Sequence, residues 1–154
     1  MEMSIDHMNS GERAIDELLI TLSSSEDIKL KHAIAKTLAD LDEPRIVDHL
    51  VAEINKDVNQ GYIGTFVFAC ETFDCSKYLD LFLKLVVFGE YEVSMTSALV
   101  VENMSSLSTP QITDGILFLQ NNLNEANNDN EEFIEEALAF LESELIGRDP
   151  ERSP

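Results

Sequence analysis

Apolar residues in this chain recur at the spacing of the α-helix, and the helices they define return in pairs, about thirty residues apart. The clearest pair begins near Glu26. Ile28, Leu30, Ala33, Ile34, Thr37, Leu38 and Leu41 form one apolar stripe, stopped at Asp42-Glu43-Pro44. Proline is tolerated in the first turn of a helix, where a backbone N–H has no intrahelical partner, so Pro44 opens the next one. That helix carries Ile46, Val47, Leu50, Val51 and Ile54 and finishes near Asn59-Gln60-Gly61. Two amphipathic helices joined by so short a turn form a hairpin.

The same layout predicts helices over 62–73 and 77–88, with Asp74-Cys75-Ser76 as turn and N-cap and Gly89 as the stop. A further pair falls over 90–104 and 111–123, joined by 105–110. Ala69-Cys70-Glu71-Thr72-Phe73 aligns with Val100-Val101-Glu102-Asn103-Met104: two apolar residues, a glutamate, a polar residue and a large apolar one. The helix over 77–88 is apolar on most sides, as expected of one held between neighbours. Ala14, Ile15, Leu18, Leu19 and Leu22 define an N-terminal helix, and Phe133, Ile134, Ala137, Leu138, Phe140, Leu141 and Leu145 a last one after the break at Asn127-Asn128-Asp129-Asn130. Both read as one-sided caps of a repeat array. No segment alternates apolar and polar residues as a strand does. The expected fold is all-α: a stack of antiparallel helical hairpins, or α-solenoid, of about eight helices, forming one domain over 1–154 with a flexible tail from about 147. Hydrophobic residues make up 44% of the chain, enough for a packed interior.

The chemistry this chain offers a substrate is thin. Cys70 and Cys75 have no histidine nearby, His7, His32 and His49 are dispersed, and neither set has the clustered spacing of a zinc site. Cys70 sits among Phe66, Val67 and Phe73 as a small core residue, while Cys75 falls in a predicted first turn, where a thiol pKa is lowered; packing is the expected role of both. There is no G-x-S-x-G elbow, no phosphate loop and no Glu-x-x-His pair for a di-iron bundle. These patterns predict neither an enzyme nor a protein with a cofactor, metal or small-molecule substrate. The start of the chain lacks the basic and apolar regions of a secretory signal, and the apolar stretch over 78–88 is too short to span a bilayer. With two cysteines and no disulfide framework, the expected location is the cytoplasm.

What stands out is the acid. The formal charge is −20, from 30 acidic and 10 basic residues, a field that repels nucleic-acid phosphate and anionic membranes and attracts cationic partners. Between Leu85 and Gly147 there is no lysine or arginine, while Glu90, Glu92, Glu102, Asp114, Glu125, Asp129, Glu131, Glu132, Glu135, Glu136, Glu142 and Glu144 all fall there. A surface built only for solubility normally mixes both signs. A basic protein partner is therefore expected, steered by charge and held by a few buried groups. Tyr91, flanked by Glu90 and Glu92, and Tyr62 are the candidate anchors, with packing at an inter-helix edge as the alternative for each. Stacked repeats place Glu71 and Glu102 about 10 Å apart, one helix-packing distance, as an acidic ridge. Asp74, Asp80 and Asp114 lie on the turns and second helices and form the other candidate surface. Asp80 also has Lys84 at i+4 as an ordinary partner.

The hairpin over 27–55, with its Asp42-Glu43-Pro44-Arg45 turn, resembles a HEAT repeat. The stretch Phe68-Ala69-Cys70-Glu71-Thr72-Phe73-Asp74-Cys75-Ser76-Lys77-Tyr78, followed by Gly89-Glu90-Tyr91-Glu92-Val93-Ser94-Met95 and Val101-Glu102-Asn103-Met104, is similar to small HEAT-like immunity proteins. These are encoded beside bacterial polymorphic toxins, including those of contact-dependent inhibition systems. Residues 1–25 and 124–154 contribute nothing to the likeness. It implies a cytoplasmic protein that binds and neutralises a cognate toxin domain, and a nuclease domain has the basic surface that this charge suits. A generic HEAT-like adaptor for another basic partner and an acidic mimic of DNA are the alternatives.

Overall fold

The computed structural model describes residues 10–124 and 129–148, so His7, Glu125, Asn127, Asn128 and the tail from 149 lie outside the described residues. The described residues form eight α-helices and two short 3-10 turns, with no strand among them. The all-helical expectation is met. None of these helices is long and apolar enough to cross a membrane. The chain divides into two compact units, Met1–Ala69 and Cys70–Pro154.

The first unit holds α1 (Ser10–Ser24), α2 (Ile28–Asp40), α3 (Ile46–Ile54), a 3-10 turn (Asp57–Asn59) and α4 (Gly64–Cys70), whose last residue begins the second unit. Asp27 caps α2, its carboxylate accepting the backbone N–H of Lys29 at 3.0 Å and that of Leu30 at 3.3 Å. Past α2, Asp42 adopts a left-handed φ of 55°, which aspartate tolerates because its short side chain can bond locally. Leu22, Leu38, Ile46, Leu50, Ile54 and Phe66 fill the core.

The stripe expected on α2 is rotated. Leu30, Ala33, Thr37 and Leu41 are exposed, and the buried positions are Lys31, Ile34, Ala35 and Leu38. Lys31 lies on the same inward face as Ile34, Ala35 and Leu38, and its charge is met there by Glu53. On α1 only Leu19 and Leu22 are buried, while Ala14 is exposed. The helix expected over 62–73 is shorter, because Gly61, at φ 91°, carries the chain through a turn before Gly64 starts α4.

The second unit holds a 3-10 turn (Ser76–Tyr78), α5 (Leu79–Phe88), α6 (Tyr91–Glu102), α7 (Thr109–Leu123) and α8 (Glu131–Ile146). Ser76 is not a helix cap as expected; it sits in the 3-10 turn, its hydroxyl donating to Asp74. α5 packs against α6, α7 and α8 at once, burying Leu79, Phe82, Leu83, Val86 and Val87. This is the helix whose sequence is apolar on most sides. Gly115 lets α7 come close: a Cβ there would lie 3.0 Å from Cδ1 of both Leu83 and Leu141. α7 starts earlier than expected, since Ser108 and Gln111 form a capping box that takes Thr109 and Pro110 into the helix. Asn130, within the expected polar break, is buried and donates its side-chain amide to the carbonyls of Val87 at 3.1 Å and Gly89 at 2.8 Å. At the other end of α8, Arg148 donates to Thr109 Oγ1 at 3.4 Å.

Hydrogen bonds join loops about thirty residues apart in the chain. Asn103 Nδ2 donates to the carbonyl of Glu71 at 2.9 Å, 32 residues away. Ser105 and Ser106 donate their hydroxyls to Asp74 at 3.0 and 2.7 Å, and the Ser106 N–H donates to Ser76 Oγ at 2.9 Å across a separation of 30. The two aligned segments also bury in the same pattern. Ala69, Cys70 and Phe73 are covered, as are Val100, Val101 and Met104, while Thr72 and Asn103 are exposed.

Candidate partner-binding surface

α6 carries apolar residues on its buried and its open side. Ser94, Ser97, Ala98, Val100 and Val101 face the core. Outward, Tyr91, Met95 and Leu99 are 62%, 38% and 40% exposed. Residues four apart on a helix share a face, so the three form one continuous stripe about two turns long. Glu102 lies at its C-terminal end, and Glu90 and Glu92 flank its start; all three are exposed. α8 borders the stripe: the ring of its Phe133 meets Tyr91 edge-on at 5.1 Å, and its Glu136 lies close enough to act on Glu102. Partial loss of solvent, followed by repulsion from Glu136, raises the Glu102 carboxyl from its ordinary value. The result is an apolar seat bordered by carboxylates, with Glu136 repelling Glu102 at one end.

The expected partner residues thus fall into four places. Glu90, Tyr91, Glu92 and Glu102 come together on α6. Asp80 and Asp114 meet elsewhere in the same unit, on the rim of a recess of about 240 Å³ also lined by Leu83, Lys84, Gly115 and Phe118.

Glu71 and Asp74 belong to the loop network. The Glu71 carbonyl is bound by Asn103, the neighbour of Glu102. Burial opposes the charge on Asp74, but hydrogen bonds from Ser76, Ser106 and Ser105 outweigh it and hold the carboxyl well below the ordinary range. Those bonds occupy the acceptor positions of Asp74 within the chain.

Tyr62 lies in the other unit, half exposed, with its carbonyl 2.9 Å from His32 Nε2. Cys70 and Cys75 are both buried and free, and Cys75 precedes the 3-10 turn where a helix start was expected. Its Sγ donates to the Cys70 carbonyl at 3.5 Å, and the Cys75 side chain together with burial pushes the Cys70 thiol up.

Periodicity gave no sign of the polar centre of the first unit. Glu53 is fully buried, and its carboxylate accepts Lys31 Nζ at 2.6 Å, Lys56 Nζ at 2.6 Å and Asn59 Nδ2 at 3.0 Å. Burial raises its pKa, yet the three donors outweigh that and hold it low. Lys31, Lys56, Asn59 and Tyr62 line a recess of about 570 Å³ together with Ser23, Ser24, Ser25, Glu26, Ile28 and Val58. The one available signal is Lys31 itself, a charged residue set between the predicted stripe positions Leu30 and Ala33.

No protein-family model matches this sequence, and neither a curated protein nor a solved structure matches it. Its class is defined by its own geometry: an all-helical protein with an acid-rimmed apolar surface.

Proposed function

We propose that this chain is a HEAT-like immunity protein: a stack of antiparallel helical hairpins that binds a cognate basic toxin domain in the cytoplasm, a nuclease by surface chemistry, and catalyses nothing. Loop bonds at separations of 30 to 32 residues support the stack, because consecutive repeats place equivalent loops side by side. The observation that carries the binding role is the α6 face, where an exposed apolar stripe is surrounded by carboxylates in a stretch without a lysine or arginine from Leu85 to Gly147. Exposed apolar surface with a charged rim is what an interface looks like before its partner arrives. The one-sign field steers a basic domain toward it, and the covered aromatics and aliphatics hold it there. A blocker of this kind works by occupying the cationic surface that the toxin needs for its nucleic-acid substrate.

The test is capture of the tagged protein from its native cytoplasm with the product of the neighbouring upstream gene co-expressed. A single basic toxin domain, recovered in stoichiometric amount and inactive while bound, is the expected result, with an association rate that falls as salt rises. Recovery of several unrelated DNA-binding proteins would replace this reading with DNA mimicry. A basic partner with no toxic activity would replace it with an adaptor.

A further inference from the structure

We infer that the α6 face receives one amphipathic cationic helix of the partner, laid along α6 with apolar residues on Tyr91, Met95 and Leu99 and lysines or arginines toward Glu92, Glu102 and Glu136. The inference rests on the binding role proposed above and adds which element of the partner makes the contact.

Three observations select the occupant. First, the stripe is apolar over about two helical turns, and Tyr91 is backed by the buried ring of Phe133, so it offers side-chain contact and no backbone groups. An extended segment lying on it would leave its own amides and carbonyls without partners. A helix bonds its backbone internally and can press a row of side chains onto another helix. Strand addition needs a sheet edge, and the described residues contain no strand.

Second, carboxylates border the row at both ends. Glu92, one residue on from Tyr91, stands beside its start, and Glu102, acted on by Glu136 of α8, closes its C-terminal end. A helix that carries cations beside its apolar row meets both.

Third, the sequence supplies no competing cation over residues 85–147. The second unit as a whole has seventeen acidic residues against four basic ones, a net −13, which also disfavours a second copy of this chain as the occupant.

The experiment uses the full chain and a synthetic peptide of roughly 14 residues, about four helical turns, with leucines on one face and lysines on its flanks. A scrambled peptide of identical composition is the control. The patterned peptide is expected to bind about tenfold or more tightly than the scrambled one and to shift backbone amide resonances along 91–102. Met95→Ser and Leu99→Ser should each weaken it by about tenfold, and Glu102→Gln by less. Glu142→Gln, on an exposed part of α8 turned away from Glu136, should leave it unchanged. Should either serine variant lose its far-ultraviolet helix signal, the resonance map on the unaltered protein decides alone. Equal binding of the two peptides, no binding of either, or shifts confined to the outer face of α8 would overturn the inference. Capture of a basic toxin domain unaffected by Met95→Ser and Leu99→Ser would overturn it while leaving the immunity role standing. Peptide binding at 91–102 with no toxin captured would do the reverse.

Discussion

Lys31 and Glu53 form a 2.6 Å ion pair with both side chains withdrawn from solvent, 5% and 0% exposed. Burying two charges costs desolvation that their attraction offsets only when the geometry is good and the remaining lone pairs are bonded. Here Lys56 and Asn59 supply the remaining bonds. Removing Lys31 leaves the buried Glu53 with one of its two cations, so Lys31→Met is expected to cost up to about 3 kcal/mol in urea denaturation. The double variant Lys31→Met with Glu53→Gln should recover part of that loss. A single variant near wild-type stability would mean that water or Lys56 fully replaces Lys31.

Stability should fall steeply in acid. Glu53 and Asp74 both have lowered folded-state pKa values, which means the folded state binds protons less readily than the unfolded chain. Their contribution is complete above the unfolded values, near 4.5 and 3.8, and is lost as pH drops through the folded ones. Glu102 has the opposite sign: its raised pKa costs stability at neutral pH, and the cost disappears as the group protonates. Glu102→Gln should therefore stabilise the protein at pH 7 by a few tenths of a kcal/mol and make no difference near pH 3. Thermal melts across pH measure both effects. A gain for Glu102→Gln that persisted near pH 3 would assign its effect to something other than charge.

Ser97 is buried in α6, and its hydroxyl has no hydrogen-bond partner among the described residues. A buried hydroxyl without a partner is a standing cost, and alanine is the better helix former. Ser97→Ala should raise stability by about 1 kcal/mol, read as an upward shift of the denaturation midpoint. Lower stability would reveal a partner for the hydroxyl, such as bound water.

Gly115 marks how closely α7 approaches its neighbours. Gly115→Ala adds a Cβ 3.0 Å from the tips of two leucines, which must move slightly, while the helix gains about 1 kcal/mol in intrinsic propensity. The two effects nearly cancel. Gly115→Leu has no such balance and should cost about 1–3 kcal/mol by overpacking. A neutral Gly115→Leu would show that the leucines rearrange freely.

Much of the helical order could be read from the chain because periodicity, caps and turns agree with one another. α5 is enclosed because its sequence is apolar on nearly every side, whereas α3 ends at Ile54, short of the stop expected near Asn59-Gln60-Gly61, and a separate 3-10 turn at Asp57–Asn59 fills the interval. Periodicity failed where a charge took a core position. Lys31, and not Leu30, lies on the buried face of α2, and nothing local in the sequence announces a partner 22 residues away. The α6 surface was partly legible. Glu90, Tyr91, Glu92 and Glu102 were recognisable as acids around an aromatic, but Met95 and Leu99 look like core residues because α6 is apolar on two sides. Asp74 and Asp114 were indistinguishable as sequence; only the serines around Asp74 separate a structural carboxylate from an open one.

Loops are ordinarily where a helical protein absorbs insertions and sequence drift. In the second unit this freedom is curtailed, since Asp74 is matched to Ser105 and Ser106, and Ser76 to Ser106 and Gln111. A residue inserted at 104–107 would put every one of those partners out of step. Open helix positions carry no such constraint: Met95 and Leu99 can each be replaced without touching the joints that hold this frame.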